Sequence, residues 1–178
     1  AAASMATNTP RTKTPATSPA HGRSPGAGSR RLVPALNIPH VVDDREKFAN
    51  RQRFPDAAEI VVEDIPTWLV NTPLPSSAYA VVVTRGHRHD LDALRALAPR
   101  SLRYLGLIGS RAKVKRIYDV LMEDGTVAVE QLEKIHAPIG LDIGAVTPQE
   151  IAVAIVAQLI AIRRGKADAI APASLRWM

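Results

Sequence analysis

Four short apolar runs, with helical periodicity after the third and after the fourth, constrain the fold of this chain more than any other feature. The runs are HVVDD (40–44), EIVVED (59–64), YAVVVTRG (79–86) and RYLGLI (103–108), and the first three end in polar or turn residues. Continuous apolar strands of this kind are typical of a parallel sheet covered on both faces. Helices are predicted at 90–98 and 111–123, where apolar residues recur along one side. The pattern therefore predicts a three-layer α/β fold with a parallel sheet, in a single domain.

The longest apolar segment lies near the end of the chain and predicts a helix over 148–163. Thr147-Pro148-Gln149-Glu150 places a capping threonine, a proline at the first helical position and a glutamate three residues after the cap. Two arginines and Gly165 mark the other end. Between residues 151 and 162 only Gln158 is polar. We therefore expect this helix to be buried on nearly all sides, either inside the domain or with one face covered by a second subunit.

The first 36 residues differ in composition from the rest of the chain. They are rich in Pro, Ser and Thr, contain five basic residues and no acidic residue, and show no apolar periodicity. We predict a disordered basic tail over 1–36 and a folded domain over 37–178. The tail holds most of the net charge of +6, because the rest of the chain has 18 basic and 17 acidic residues. A basic face on the folded domain, and with it nucleic-acid binding, is therefore not expected.

Two absences narrow the function classes. The chain has no cysteine, which excludes disulfides, thiolate metal sites and cysteine nucleophiles. Its longest uninterrupted apolar run, residues 151–157, is far too short to span a bilayer. We therefore expect a soluble, cytoplasmic protein that does not enter a membrane.

The stretch YLGLIGSRAKVKRIY (104–118) is the first candidate site. A strand breaks at Gly109 and Ser110, and the helix that follows carries Arg111 and Lys113 in its first turn. Cations at a helix start oppose the helix dipole, at a cost of roughly 0.3–1 kcal/mol each. Free backbone N–H groups at such a start bind phosphates or carboxylates, and the cations would close around the anion. The alternative is an ordinary strand-to-helix turn with solvated cations.

Two further loops contain candidate ligand contacts. TRGHRHD places Thr84, Arg85 and His87 at the carboxyl end of a strand, where open α/β sheets bind ligands. This loop would hold an anion or move a proton, or it is simply solvated and caps the next helix. Its two histidines have no third ligand at a familiar spacing, so no metal site is predicted. In HAPIGLDIGAV, two glycines flank a segment in which Asp142 would face a ligand or backbone N–H groups.

Asp43 and Asp44 raise the possibility of a dinucleotide site. An acid at the end of an early strand binds the cofactor ribose when a glycine-rich turn precedes it by about 20 residues. The only candidate turn is Gly26-Ala27-Gly28, which no strand precedes. It lies 15 residues before Asp43, and Pro34 and Pro39 interrupt the interval. We therefore do not expect NAD(P) to bind by the usual route.

Four blocks together resemble one known family. DDREKFANRQRFPDA, TRGHRHDLDAL, YLGLIGSRAK and HAPIGLDIGAVTPQEIAVAI, in this order over roughly residues 40–165, are similar to the C-terminal Rossmann-type domain of the XdhC/CoxI family, the xanthine dehydrogenase accessory factors. The resemblance implies a three-layer Rossmann-like parallel sheet. The family's cysteine-containing N-terminal domain is not part of this chain, and the first strand with its glycine-rich turn is missing or degraded. We therefore expect a partial family member.

The resemblance also implies a function. Family members would bind molybdenum cofactor (molybdopterin) as cargo, protect it while a cofactor-sulfurating enzyme acts, and deliver it to xanthine dehydrogenase or a related molybdenum hydroxylase. On that basis the candidate cofactor contacts are Gly109, Ser110, Arg111, Lys113, Thr84, Arg85, His87 and Asp142. No catalytic residue is assigned, since such a protein would be a chaperone rather than a redox enzyme.

Two alternatives remain open at the sequence level. One is an NAD(P)-dependent oxidoreductase, suggested by the α/β pattern and the paired aspartates. The other is a partner-binding or oligomerisation module without a small ligand, suggested by the apolar helix at 148–163. A homodimer or poor solubility is expected on separate grounds, because loss of the first strand unit would expose a sheet edge and part of an apolar face.

Overall fold

The computed structural model describes the backbone of residues 3–6 and the whole of residues 39–166, and strands and helices alternate along most of the second range. The strands are β1 (Ala3–Ala6), β2 (His40–Asp43), β3 (Glu59–Val62), β4 (Tyr79–Val82) and β5 (Tyr104–Leu107). The helices are α1 (Ile65–Asn71), α2 (Gly86–Leu97), α3 (Arg111–Glu123), α4 (Val129–Leu132) and α5 (Pro148–Arg163).

The sheet has the strand order β3-β2-β1-β4-β5. β2 pairs with β3 and β4 pairs with β5, both in parallel. The segment that begins at His136 continues the sheet beyond β5, since the backbone N–H of His136 donates to Leu105 and that of Leu107 donates to His136. This is the order of a Rossmann sheet, in which the chain reverses direction across the sheet beside the first strand. The predicted α/β fold with a parallel sheet is confirmed for these four strands.

β1 differs from the prediction. Residues 3–6 fall within the predicted disordered tail, but they form the central strand, antiparallel to both β2 and β4. The facing edges of β2 and β4 carry unpaired backbone groups, and a short extended segment satisfies them whatever its residue types. The remainder of the predicted tail, and residues 167–178 of the predicted domain, lie outside the described residues.

The three predicted layers are present. Val42, Val82 and Leu107 point to one face of the sheet, where they pack with α1, α2, α3 and the segment around α4 in the main core. On the other face, α5 packs over β4 and β5. Val41 and Ala49 lie on that face in a smaller cluster, formed by β2, β3 and the segment between them. Both faces are therefore covered by apolar side chains, as the continuous apolar strands required.

α5 is less buried than the sequence predicts. It begins at the expected cap, where Thr147 and Glu150 exchange side-chain to backbone hydrogen bonds. Only Ala154, Gln158 and Ile162 are fully buried, all on the side facing the domain, whereas Val153 is 62% exposed. The helix forms the outer layer of the described structure, so the sheet covers one side of it. Among the described helices, none combines the length and apolarity needed to cross a membrane.

Candidate functional site

The predicted site residues meet at one edge of the sheet. β2 ends at Asp43, β4 at Val82 and β5 at Leu107, and the following loops lead away from the same side because these strands run in the same direction. In open α/β sheets ligands bind in the crevice outside the carboxyl ends of the strands, where the winding reverses. The loops after β4 and β5, together with the first turns of the helices that follow them, contain seven of the eight predicted cofactor contacts. The eighth, Asp142, lies in the loop before α5.

A buried ion pair joins the starts of α2 and α3. The Lys113 ammonium lies 2.6 Å from Oδ2 of Asp90, whose side chain is fully buried. The hydroxyl of Thr84 donates to Oδ1 of the same carboxylate at 2.6 Å. Lys113 also reaches the backbone carbonyl of Ile108, at 3.4 Å. Two predicted contacts, Thr84 and Lys113, are thus brought together by Asp90, and Lys113 remains 22% exposed on its outer side.

The start of α3 has the geometry expected of its sequence. Ser110 is the N-cap, and its Oγ accepts from the backbone N–H of Lys113 at 3.2 Å. Gly109 leaves room for the Lys113 side chain, because a Cβ there would lie 3.0 Å from Cδ of that lysine. The serine therefore already satisfies one free donor of this helix. A ligand at this point would meet the remaining backbone N–H groups and the charges beside them.

Arg111 and Asp142 face each other across the mouth of the crevice. Their charged groups are 3.7 Å apart, and their side chains are 69% and 88% exposed. Asp142 lies in the loop between Gly140 and Gly144, both of which have positive φ, so that loop bends back towards α3. An ion pair this exposed is weak and exchanges partners readily with an anionic ligand. In this structure Asp142 contacts Arg111, and its contact with a ligand stays a prediction.

Arg85 bridges from β4 to the end of β2. Its guanidinium donates to Asp44 at 3.0 Å across the end of the central strand. Burial opposes ionisation of Asp44, but the guanidinium of Arg85 and a hydrogen bond with Asp43 still hold the pKa of this carboxyl below its ordinary value. Arg85 is also the N-cap of α2 and makes no side-chain cap bond. The backbone donors of the first turn of α2 are therefore more open than those of α3, and the exposed His87 stands beside them.

Asp43 is not placed to bind a ribose. Its side chain is fully buried and receives hydrogen bonds from the backbone N–H and the guanidinium of Arg45. That guanidinium lies 3.9 Å from the ring centroid of Phe48. Within the DDREKF segment, Asp43 is therefore engaged by its own neighbour, whereas Asp44 contacts Arg85. The antiparallel β1 also brings its first residue, rather than its last, to this edge, so β1 does not lead into a glycine-rich turn there.

The chemistry available at this edge is anion binding in a polar crevice. Exposed cationic groups and the first-turn N–H groups of α2 surround an edge whose acids are already engaged by arginine or lysine. No group of three or more His, Asp or Glu side chains within residues 39–166 is arranged to hold a metal ion.

Two residues important to this arrangement are not among the predicted contacts. The sequence places Asp90 at the start of a helix, and it suggests Asp44 only as a ribose ligand. The sequence does contain a signal for Asp90. This acid lies at a helix position six residues after Thr84, and an acid that is buried there is unfavourable without a cationic partner. The partner itself lies on another helix, and local sequence does not indicate which cation it is.

Comparison with known proteins gives consistent matches. The family model described as the XdhC Rossmann domain matches residues 35–159. The uncharacterized protein YqeB of Escherichia coli (strain K12) is 31% identical over 124 residues, which cover 69% of this chain and 22% of that protein. A protein of Bacillus subtilis (strain 168), named as a probable subunit of xanthine dehydrogenase, is 30% identical over 124 residues, covering 70% of this chain and 35% of that protein.

A solved structure agrees with these matches. The crystal structure of a xanthine dehydrogenase from Bacillus halodurans aligns with a TM-score of 0.60 and 31% identity, over 76% of this chain and 38% of that one. The chain therefore spans between about a fifth and two fifths of the length of the relatives it matches.

Proposed function

The chain belongs to the XdhC family, of which it carries the Rossmann domain, and from this we propose that it binds molybdenum cofactor as cargo for xanthine dehydrogenase or a related molybdenum hydroxylase. The observation that carries the proposal is the carboxyl edge of the sheet, where the exposed side chains of Arg85, His87 and Arg111 follow the ends of neighbouring parallel strands. The role is that of an accessory protein, and no residue is assigned to chemistry on the cargo.

The chemistry of the cargo suits this edge. Molybdopterin carries a phosphate and an anionic metal-dithiolene group, both of which match backbone N–H donors and guanidinium groups. The uncapped first turn of α2 supports phosphate binding, and Arg111 reaches the same crevice once it leaves Asp142. Lys113 pairs with Asp90, so the two together carry no net charge, and the pair holds the start of α3 beside α2.

The proposed partners follow from the same role. A cofactor-sulfurating enzyme would act on the bound cargo, and the molybdenum enzyme would receive it. The names of two relatives refer to xanthine dehydrogenase, which supports a recipient of that type.

Binding of the molybdopterin form of the cofactor to the purified chain is the direct test, measured by fluorescence quenching or calorimetry. We expect saturable binding that Arg111→Glu weakens on the order of tenfold, because a carboxylate replaces a guanidinium beside the anion. A tenfold change in the dissociation constant corresponds to about 1.4 kcal/mol. Arg111 is 69% exposed, so the substitution leaves the fold intact.

Arg116→Glu is the matched control, because Arg116 is an exposed arginine on the same helix, further from the strand end. Absence of binding at micromolar cofactor would contradict the proposal. So would an equal loss in both variants, since it would indicate unspecific attraction by net charge. A thermal shift with NAD or NADP in place of molybdopterin would favour a dinucleotide enzyme instead.

A further inference from the structure

Residues 141–146 form a short strap that leads into α5, and both of its ends are anchored on that helix. At the first end, the backbone N–H of Gly140 donates to Oε1 of Gln158 at 2.9 Å. At the second end, the backbone N–H of Val146 donates to the carboxylate of Glu150 at 2.9 Å. The ends of the strap are therefore fixed by hydrogen bonds of their own, whatever its middle contacts.

The middle of the strap has a single charged contact with the rest of the domain. The side chains of Asp142 and Ile143 are exposed. Gly144 has a φ of 73°, and a Cβ at that position would meet nothing within 4 Å. Among residues 39–166, the only ion pair that involves the strap joins Asp142 to Arg111, with 3.7 Å between the charged groups. This ion pair ties the middle of the strap to the start of α3.

The carboxylate of Asp142 lies where the anion of a ligand would lie. Arg111 is the first residue of α3, and the dipole at a helix start favours an anion beside it. An anion bound there would contact the same guanidinium, so the ligand and Asp142 compete for Arg111. Because both side chains are mostly exposed, the ion pair is weak and a ligand can displace the carboxylate.

We propose that the strap is autoinhibitory: Asp142 occupies Arg111 in the empty domain, and an anionic ligand binds by displacing it. The inference deepens the proposed function and rests on the anion site at the start of α3. The competition lowers the affinity for every anion that needs Arg111, because the apparent dissociation constant is the intrinsic one divided by the fraction of molecules in which Arg111 is available. For an exposed ion pair this fraction is roughly a sixth to a half.

This effect separates small anions from larger ligands. A small anion whose main contact is Arg111 binds more weakly by the whole factor. A larger ligand offsets the same factor through its other contacts with the domain. The strap therefore keeps the site empty of simple anions without excluding a cargo that fits it.

Calorimetric titration with inorganic pyrophosphate tests the competition without any cofactor. We expect Asp142→Asn to lower the dissociation constant about two- to sixfold, because Arg111 is then available in every molecule. Asp119→Asn is the matched control, since Asp119 is an acid that forms an ion pair with another cation of α3, Lys115. It makes the same change in net charge and should leave the constant nearly unchanged.

A second background separates competition from simple repulsion of the anion by Asp142. In Arg111→Gln no guanidinium remains to be released, so adding Asp142→Asn should not improve pyrophosphate binding. A gain as large as that in the unmodified chain would overturn the inference, because it would show repulsion alone. An unchanged constant in the single variant Asp142→Asn would also overturn it. So would absence of binding at millimolar pyrophosphate in both the unmodified chain and Asp142→Asn.

The same titrations with molybdopterin distinguish this inference from the proposed function. If Asp142→Asn tightens pyrophosphate binding and no variant binds molybdopterin, the inference is supported and the cofactor role fails. If the unmodified chain and Asp142→Asn bind molybdopterin and pyrophosphate with equal affinity, the cofactor role is supported and the inference is overturned.

Discussion

The pair formed by Asp90 and Lys113 is asymmetric. The carboxylate is fully buried, whereas the lysine is 22% exposed and has a flexible side chain that can reach water. Loss of the lysine therefore leaves a buried carboxylate without its cationic partner, whereas loss of the carboxylate leaves no buried charge.

We expect Lys113→Met to lower the free energy of unfolding by roughly 3–5 kcal/mol, because the buried carboxylate loses its partner. Asp90→Asn should cost less, about 1–3 kcal/mol, since the freed ammonium moves to solvent and the amide still accepts from Thr84. Urea unfolding of the two single variants measures both costs.

The double variant is the control for this pair. Its cost should fall short of the sum of the two single costs by about 0.5–3 kcal/mol, as for residues in direct contact. Additive costs, or a larger cost for Asp90→Asn, would show that the two side chains are not coupled in this way.

His136 gives a second prediction at this scale. Its ring is 7% exposed and stacks on Tyr104 with centroids 4.7 Å apart. Burial lowers the pKa of His136 to about 4. The unfolded chain therefore takes up this proton first as the pH falls, so the free energy of unfolding should decrease between about pH 6.5 and pH 4, by at most about 1.4 kcal/mol per pH unit.

His136→Phe keeps an aromatic ring beside Tyr104 and removes the titrating group. Urea unfolding at a series of pH values should then show a flatter profile than that of the unmodified chain in this window. His87→Gln, at an exposed histidine, should leave the slope as it was. Equal profiles for all three proteins would contradict the assignment of this slope to His136.

At the scale of the element, α3 carries its charges against its own dipole. Cations lie at its start and acids at its end, and at each end the structure shows a contact with another residue that stabilises the charge. Lys113 is held by Asp90, and Asp124, after the last turn, receives hydrogen bonds from Thr126 and from Arg95 of α2 that lower its pKa to about 2. Contacts between α2 and α3 thus offset the unfavourable dipole terms at both ends.

The packing of β5 against the loop after His136 requires a residue without a side chain. A Cβ at Gly106 would lie 2.5 Å from Cδ1 of Ile139 and 2.7 Å from the Tyr104 hydroxyl. We expect Gly106→Ala to lower the free energy of unfolding by about 1–3 kcal/mol through overpacking, measured by urea unfolding.

Truncation of the neighbour provides the control. Ile139→Ala should cost less in the Gly106→Ala background than in the unmodified chain, because the added methyl group occupies part of the vacated space. The same cost in both backgrounds would mean that the two positions do not compete for that space.

How much the sequence predicts depends on the element. The parallel strands and α3 and α5 follow from apolar runs and caps. α2 begins at Gly86, four residues earlier than expected, because a histidine-rich stretch is more typical of a loop. α1 is not predicted although Asp64 caps it and a proline opens it, since seven residues give little periodicity. β1 could not be predicted, because ASMA has no strand pattern and is paired through its backbone alone.

For the candidate site too, local sequence predicts some features and not others. Strand ends and turn residues placed Thr84, Arg85, Ser110 and Arg111 at one edge of the sheet. Their partners depend on distances between separate elements, as in the bridge from Arg85 to Asp44, which are 41 residues apart in sequence. Nothing in the local sequence indicates that Asp142 lies beside Arg111.

At the scale of the whole molecule, β1 joins the two parallel halves of the sheet. Ser4 is paired with Val41 on one side and Val81 on the other. We expect Ser4→Pro to lower the free energy of unfolding by about 3 kcal/mol or more, because proline removes a ladder donor in a central strand. Ser4→Thr, which keeps the N–H, should change it little, and thermal unfolding of both variants measures the difference. Equal melting points would show that β1 adds nothing to the stability of the sheet.

The central strand β1 is held by backbone pairing with β2 and β4, and this affects how such a domain can evolve. The space between β2 and β4 requires only a short extended segment without proline. Insertions, deletions or shifts of reading frame upstream can therefore replace the strand without changing the sheet. A glycine-rich turn allows no such freedom, because its work depends on residue type. In such a domain, a change of residue type therefore affects the central strand less than it affects a glycine-rich turn.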